Sequence, residues 1–335
     1  MLCADFKVRL RLWASSFAAA KWMSDPPKDY AAYLSFYQLS LKNEPVKKDQ
    51  NHLAKARAGW IMLGKERIWT QAFKPSFGHA DNAPTKGTLV HLHGYYDHGA
   101  SYPSLQRWAL KNNLYYVTTD LPGHGLSSGE RASIDSFDDY QNLLSSLVEV
   151  LEAENLPRPW LLSGFSTGGA IALEQQLTKT HFDHLLLLAP LIRPVAWQPK
   201  LVSWLWLPRL LIKNLPRKFT DNSNDVDFLK FAKQQDCLQS KQLPLAWISA
   251  LGRWIKWIEN TKPRGVEALI IQGDADSTVD WQYNLPEIRR LIPQAVTKII
   301  AGGAHQLLND AQEQRCQVFD CLDKWLMGIN EKRKL

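Results

Sequence analysis

The chain has 335 residues, 45% of them hydrophobic and 22% charged, a composition that excludes a disordered polypeptide and leaves room for one large domain with an insertion or for two ordinary ones. A net charge of +7 suits contact with anionic lipid, but no dense Lys/Arg tract marks a nucleic-acid binder. The four cysteines, Cys3, Cys237, Cys316 and Cys321, form no CxxC pair, so neither a metal site nor a redox motif is expected, and free thiols in a reducing compartment are.

Residues 1–55 read as a polar, helical N-terminal extension broken at "SDPPKD". Its start, "FKVRLRLWASSFAAAKW", sets Lys7, Arg9 and Arg11 beside Leu10, Leu12 and Trp13. The apolar stretch Leu12 to Ala20 is interrupted by Ser15 and Ser16 and followed by Lys21, which argues against a signal peptide. A basic amphipathic surface helix and an ordinary packed helix both remain open there. No run of 18 apolar residues exists, so no membrane span is expected. The expectation is a cytoplasmic protein in peripheral contact with anionic membrane.

"GWIMLGKERIWTQAF" alternates around a Gly-Lys-Glu turn and predicts a β-hairpin. Strand and helix then alternate: "TLVHLHG", "YPSLQRWALKNN", "LYYVTTD", "FDDYQNLLSSLVEVLEAE", "PWLLSG", "TGGAIALEQQL" and "HLLLLAPLI". Short apolar strands between amphipathic helices imply a mostly parallel sheet covered on both faces. From Arg193 to Lys262 no clear strand is legible, and the segment reads as helical and rich in Trp and Leu. "VEALIIQG" and "AVTKIIAG" restore the strands, and "AQEQRCQVFDCLDKWLMG" closes the chain as a helix. The expected organisation is an extension over 1–55, a core over 56–192 and 263–335, and a helical insertion over 193–262.

The pattern G-x-S-x-G occurs at Ser166 ("GFSTG") and at Ser127 ("GLSSG"). A nucleophile elbow needs a strand just before the serine and a helix just after it, with glycines where side chains would collide. Ser166 has both; Ser127 has neither and reads as a loop residue. A serine hydroxyl needs a base to take its proton. Of nine histidines only His305, in "AGGAHQLLN", lies beyond His184, in the chain order Ser, acid, His that such hydrolases use. The acid belongs on the loop "IIQGDADSTVD", which offers Asp274, Asp276 and Asp280, each also able to cap the next helix. Spacing favours Asp276, with Asp274 as runner-up. Backbone N–H groups must meet the oxyanion, and Thr167 and Tyr95 are the candidates, one at the helix start and one after His93-Gly94.

These residues resemble the α/β-hydrolases of the monoacylglycerol lipase and lysophospholipase kind, from about residue 60 to 328. The resemblance lies in "HGYYDHGASY", with His93, Gly94, Asp97 and His98, in "DLPGHGLSSGER", in "GFSTGGAIAL", and in "GDADSTVD" with "GGAH". It implies an α/β-hydrolase fold with a helical cap and supports Asp276 and His305. Where the family more often has Gly-His-Ser-Met-Gly, this chain has Phe165 and Thr167.

Six of the 14 tryptophans lie in the insertion, and Trp247, Leu251, Trp254 and Ile258 share one helical face. That face either packs on the core or lines an acyl-chain cleft, with Trp247 and Trp254 touching substrate. Twelve Lys/Arg against five Asp/Glu between Arg193 and Lys262 suit a lysophospholipid or a monoacylglycerol at a membrane surface better than a substrate ammonium. The expected activity is hydrolysis of carboxylic esters of single-chain lipids through an acyl-enzyme, without metal or organic cofactor. A small-ester carboxylesterase or a serine aminopeptidase is the alternative, and a non-catalytic binding protein a remote one.

Overall fold

A computed structural model describes residues 28–39, 56–75, 85–199, 212–332. The expectations for the basic N-terminal stretch, Cys3, Trp204 and Trp206 lie outside the described residues.

The first described element, α1 (Lys28–Phe36), departs from the polar helix expected. Tyr30, Tyr33 and Leu34, with Tyr37 just past its end, follow helical spacing and are buried. The Tyr30 hydroxyl donates to Gln71 Oε1 at 2.9 Å, and Gln71 Nε2 donates to the Tyr33 hydroxyl at 3.2 Å. Aromatic rings satisfy a core while their hydroxyls reach partners, which composition alone does not separate from a solvated face.

The hairpin forms as β1 (Ala56–Leu63) and β2 (Glu66–Phe73), turning at Gly64 with φ +58°. There follow β3 (Gly87–Leu92), α2 (Pro103–Lys111), β4 (Leu114–Thr119), α3 (Asp138–Ala153), β5 (Trp160–Phe165), α4 (Thr167–Thr178) and β6 (His184–Leu188). Within 193–262 the structure corrects the strandless expectation. A small antiparallel pair forms there, β7 (Asn214–Pro216) and β8 (Gln242–Pro244), with α5 (Val226–Lys230) between the two strands and α6 (Leu245–Glu259) after them. Three-residue strands ending in proline carry too little period-2 signal to be read. The chain closes with β9 (Ala268–Gly273), α7 (Trp281–Leu291), β10 (Val296–Ile300) and α8 (Gln312–Lys332).

Among the described residues, eight strands make one sheet in the order β1-β2-β4-β3-β5-β6-β9-β10. Only the pairings of β2, with β1 and with β4, are antiparallel. Alternate residues of each strand face opposite sides. Leu162, Leu187 and Ile270 pack with α3 and α4, while Leu161, Leu186 and Leu269 pack with α2 and α8. Both faces are thus sealed by apolar contact, and the polar work of the sheet falls to its strand ends.

Candidate active site

Ser166 follows β5 and precedes α4 directly. Its φ of +52° and ψ of −113° fall outside the regions a serine prefers. The surroundings impose that conformation. The Ser166 amide donates to the Leu188 carbonyl at 2.9 Å, and its carbonyl accepts from Ala170 and Leu191. A Cβ at Gly164 would stand 2.1 Å from the Gly168 carbonyl oxygen, and one at Gly168 would stand 2.2 Å from that of Leu92. The flanking glycines are therefore a steric requirement, and the close approach at Gly168 presses the start of α4 against the end of β3, next to Tyr95.

The structure brings Ser166, His305 and Asp276 together from three separate loops. Ser166 Oγ lies 3.0 Å from His305 Nε2, and His305 Nδ1 lies 2.7 Å from Asp276 Oδ2. All three are buried. Asp276 Oδ2 also accepts from Gln272 Nε2 at 2.9 Å, and Oδ1 accepts from the Thr278 and Val279 amides. Burial acts to raise the Asp276 carboxyl, but the facing His305 and these donors outweigh it and hold it below the usual carboxylate range. The other acids are occupied elsewhere: Asp274 accepts from the Gly302 amide at 2.7 Å, and Asp280 caps α7 by accepting from the Tyr283 amide. Gln272 belongs to this network too, and its only mark in the sequence is a polar side chain near the end of an otherwise apolar strand.

Ser127 is a loop residue whose hydroxyl donates to the Asp120 carbonyl at 2.7 Å and accepts from the Trp69 amide at 2.9 Å. His93 is structural in the same sense. Its Nε2 accepts from the Leu121 amide and its Nδ1–H donates to the Gly94 carbonyl, both at 2.8 Å. Burial holds it neutral, well below the ordinary histidine value. Tyr95 is anchored by its side chain: the hydroxyl donates to the Ala132 carbonyl at 2.6 Å, and the ring stacks on Trp247 at 3.8 Å. Phe165, in the place the family more often gives to histidine, lies 4.9 Å from the His305 ring. Gly94 makes room for it, since a Cβ there would sit 2.7 Å from the Phe165 ring.

A serine, an imidazole and a carboxylate in line beyond the ends of β5, β10 and β9, on a mostly parallel sheet, define the α/β-hydrolase class of serine hydrolases. More narrowly, the chain belongs to the family described as serine aminopeptidase, S33, whose model matches residues 83–312. It is similar to the monoglyceride lipase of Homo sapiens, 26% identical over 253 residues, covering 72% of this chain and 82% of that one. It is 28% identical to the monoglyceride lipase of Rattus norvegicus over 290 residues, covering 83% of this chain and 90% of that one. Its fold matches the crystal structure of Paleococcus ferrophilus monoacylglycerol lipase with a TM-score of 0.67 at 17% identity, covering 78% of this chain and 98% of that one.

Of the two readings open for the Trp247–Trp254 face, the contacts of Trp254 favour packing on the body. Its ring stacks on Phe137 at 4.9 Å and its Nε1 donates to Glu174 Oε2 at 2.7 Å, so α6 rests on the body through it. Burial pushes the Glu174 carboxyl up to about 7, against the pull of that hydrogen bond. Trp254→Ala is expected to lower stability by about 3–5 kcal/mol through the cavity it opens, and to leave Glu174 without its donor. Thermal unfolding together with rates on an acetyl and a dodecanoyl ester checks this. Both rates should fall by one factor, whereas selective loss of the long-chain ester would place Trp254 in the cleft.

Proposed function

We propose that the protein is a serine ester hydrolase that cleaves single-chain lipids, a monoacylglycerol or a lysophospholipid, through an acyl-enzyme. The observation that carries this reading is the hydrogen-bonded relay from Ser166 through His305 to Asp276. In the first half-reaction His305 Nε2 takes the Ser166 proton as Oγ attacks the ester carbonyl. The Tyr95 and Thr167 amides receive the oxyanion, and the imidazolium passes its proton to the departing alcohol. Water then repeats the sequence on the acyl-serine, releasing the fatty acid and restoring Ser166. Asp276 holds Nδ1–H, so that Nε2 faces the serine with a free lone pair.

Residues 56–192 and 263–335 serve as the body, 193–262 as a cap and 1–55 as an extension. Trp247, stacked on Tyr95, is the cap residue placed to meet substrate beside the oxyanion donors. The cap's twelve basic residues against five acidic ones favour a phosphate-bearing or membrane-surface lipid over the ammonium of a peptide N-terminus, despite the family's aminopeptidase description. The lipase names of the relatives point the same way. Peripheral membrane contact through Lys7, Arg9 and Arg11 fits that substrate, and no described helix is long and apolar enough to cross a bilayer.

A panel of aryl esters of rising chain length, monoacylglycerols, lysophospholipids and aminoacyl anilides tests the reading. Each methylene removed from water contributes about 0.8 kcal/mol, of which only part reaches the transition state. kcat/KM is therefore expected to rise a few-fold per methylene until the cleft is full. A flat profile would indicate a small-ester carboxylesterase, and preference for anilides would indicate a peptidase.

A further inference from the structure

Three distant parts of the chain meet at one buried carboxylate. Asp236 lies in the cap, just past the π-helical turn Phe231–Gln235. His98 Nε2 donates to it at 3.1 and 3.3 Å from the loop that also carries Tyr95. The Tyr37 hydroxyl donates to it at 3.1 Å from the end of the N-terminal helix. The Leu238 amide adds a third donor at 3.1 Å. All three side chains are buried, so each lost donor leaves an under-compensated charge away from water. His98 Nδ1 accepts from the Ala100 amide, which fixes the tautomer that points Nε2–H at Asp236.

We propose that Tyr37 is a positioning residue: through Asp236 it holds the cap down on the oxyanion loop, so that the N-terminal extension sets how closely the cap closes over the acyl chain. The inference rests on the reading of 193–262 as the cap and of the Tyr95 loop as the oxyanion loop.

The loop that carries His98 and Tyr95 also has bonds of its own. The Asp97 amide donates to the Gly94 carbonyl, the His98 amide to Ser101 Oγ, and the Tyr102 hydroxyl to Asp97 Oδ2. The N-terminal helix is likewise fixed, through Tyr30 and Tyr33 on Gln71. The cap end over 231–239 is tied to the body at Leu238, a buried side chain whose carbonyl accepts from Arg131, and to the oxyanion loop through Gln239 Nε2, which donates to Asp97 Oδ1 at 3.4 Å. It meets the helix at Asp236 and at Phe231, whose ring lies 5.7 Å from Phe36 and 6.2 Å from Tyr37. Weakening the latch removes one of these ties, so the cap end loosens at Asp236 while Leu238 and Gln239 keep it attached, and the bonds within the loop keep the oxyanion donors in place.

Tyr37→Phe removes only the hydroxyl and keeps the ring contact with His98 at 4.7 Å. The loss of a hydrogen bond to a charged acceptor is worth about tenfold. KM for a dodecanoyl ester should rise by about that factor with kcat little changed, while both constants for an acetyl ester stay as they are. Asp236→Asn should act in the same direction. The double variant should be no worse than Asp236→Asn alone, because Tyr37 acts through Asp236. Amide hydrogen exchange over residues 226–240 should quicken by about tenfold in Tyr37→Phe, without quickening in β5 or α4. Equal losses on both esters, additive effects in the double variant, or unchanged exchange would each overturn the proposal. If the unmodified protein cleaves neither ester, the proposed function fails on its own and the exchange measurement alone decides the latch.

Discussion

Ser166→Ala is expected to lower turnover by several orders of magnitude, as far as about 10⁶-fold, to the residual left by binding and the oxyanion donors. It should also abolish labelling by a fluorophosphonate. The loss is chemical because, among the described residues, the hydroxyl bonds only to His305, at 3.0 Å. The elbow is held by the Ser166 backbone and by the glycines around it, and alanine suffers the positive φ no worse than serine does. Ser127→Ala, within the second G-x-S-x-G, is the control. It should leave labelling intact and lower stability by about 1–3 kcal/mol, since the Trp69 amide and Asp120 carbonyl lose their shared partner. Labelling that survives in Ser166→Ala and fails in Ser127→Ala would move the nucleophile.

The parallel core was legible because a strand buried on both faces is a short apolar run, and runs such as "HLLLLAP" admit no amphipathic helix of that length. The elbow was legible because its glycines answer a local steric demand, and a local demand leaves a local mark. Relations between distant segments left no such mark. "DYAAYLSFY" hides a buried aromatic face, since tyrosine is compatible with water as well as with a core. The same ambiguity attends the Trp247–Trp254 face: its spacing gives a helix and a side, but not what the side meets, and Trp254 turned out to meet Phe137 and Glu174. Asp236, Tyr37 and His98 are separated by 138 and 199 positions in their pairings, and nothing at any one of them announces the other two.

Asp276→Asn is expected to lower kcat/KM by roughly 10⁴-fold at neutral pH with the fold intact. The carboxylate's four contacts dictate how the asparagine would sit. Oδ1 accepts from the Thr278 and Val279 amides, so the amide oxygen of Asn must occupy that side. Its NH₂ then faces His305 Nδ1 and Gln272. Gln272 can meet the new NH₂ by turning its amide oxygen toward it, at the cost of the bond its Nε2 now donates to the Gly273 carbonyl at 3.0 Å. His305 cannot. With a donor facing Nδ1, the neutral ring must carry its proton on Nε2, aimed at Ser166, and a protonated Nε2 cannot take the serine's proton. The substitution thus reverses the tautomer while preserving the packing, and fluorophosphonate labelling should slow along with turnover. Asp274→Asn should change kcat/KM by only a few-fold, because exposed Asp274 does no more than accept from Gly302 at 2.7 Å. The depressed carboxyl of Asp276 adds a stability signature with a definite sign. Its contribution is full above the ordinary carboxylate range and is lost as pH falls through its lower folded value, so the native protein should lose its advantage over Asp276→Asn only in strong acid. Unfolding midpoints measured from neutral pH downward test that half, and the two Asn variants compared at neutral pH test the other. A larger loss in Asp274→Asn than in Asp276→Asn would transfer the acid's role to Asp274.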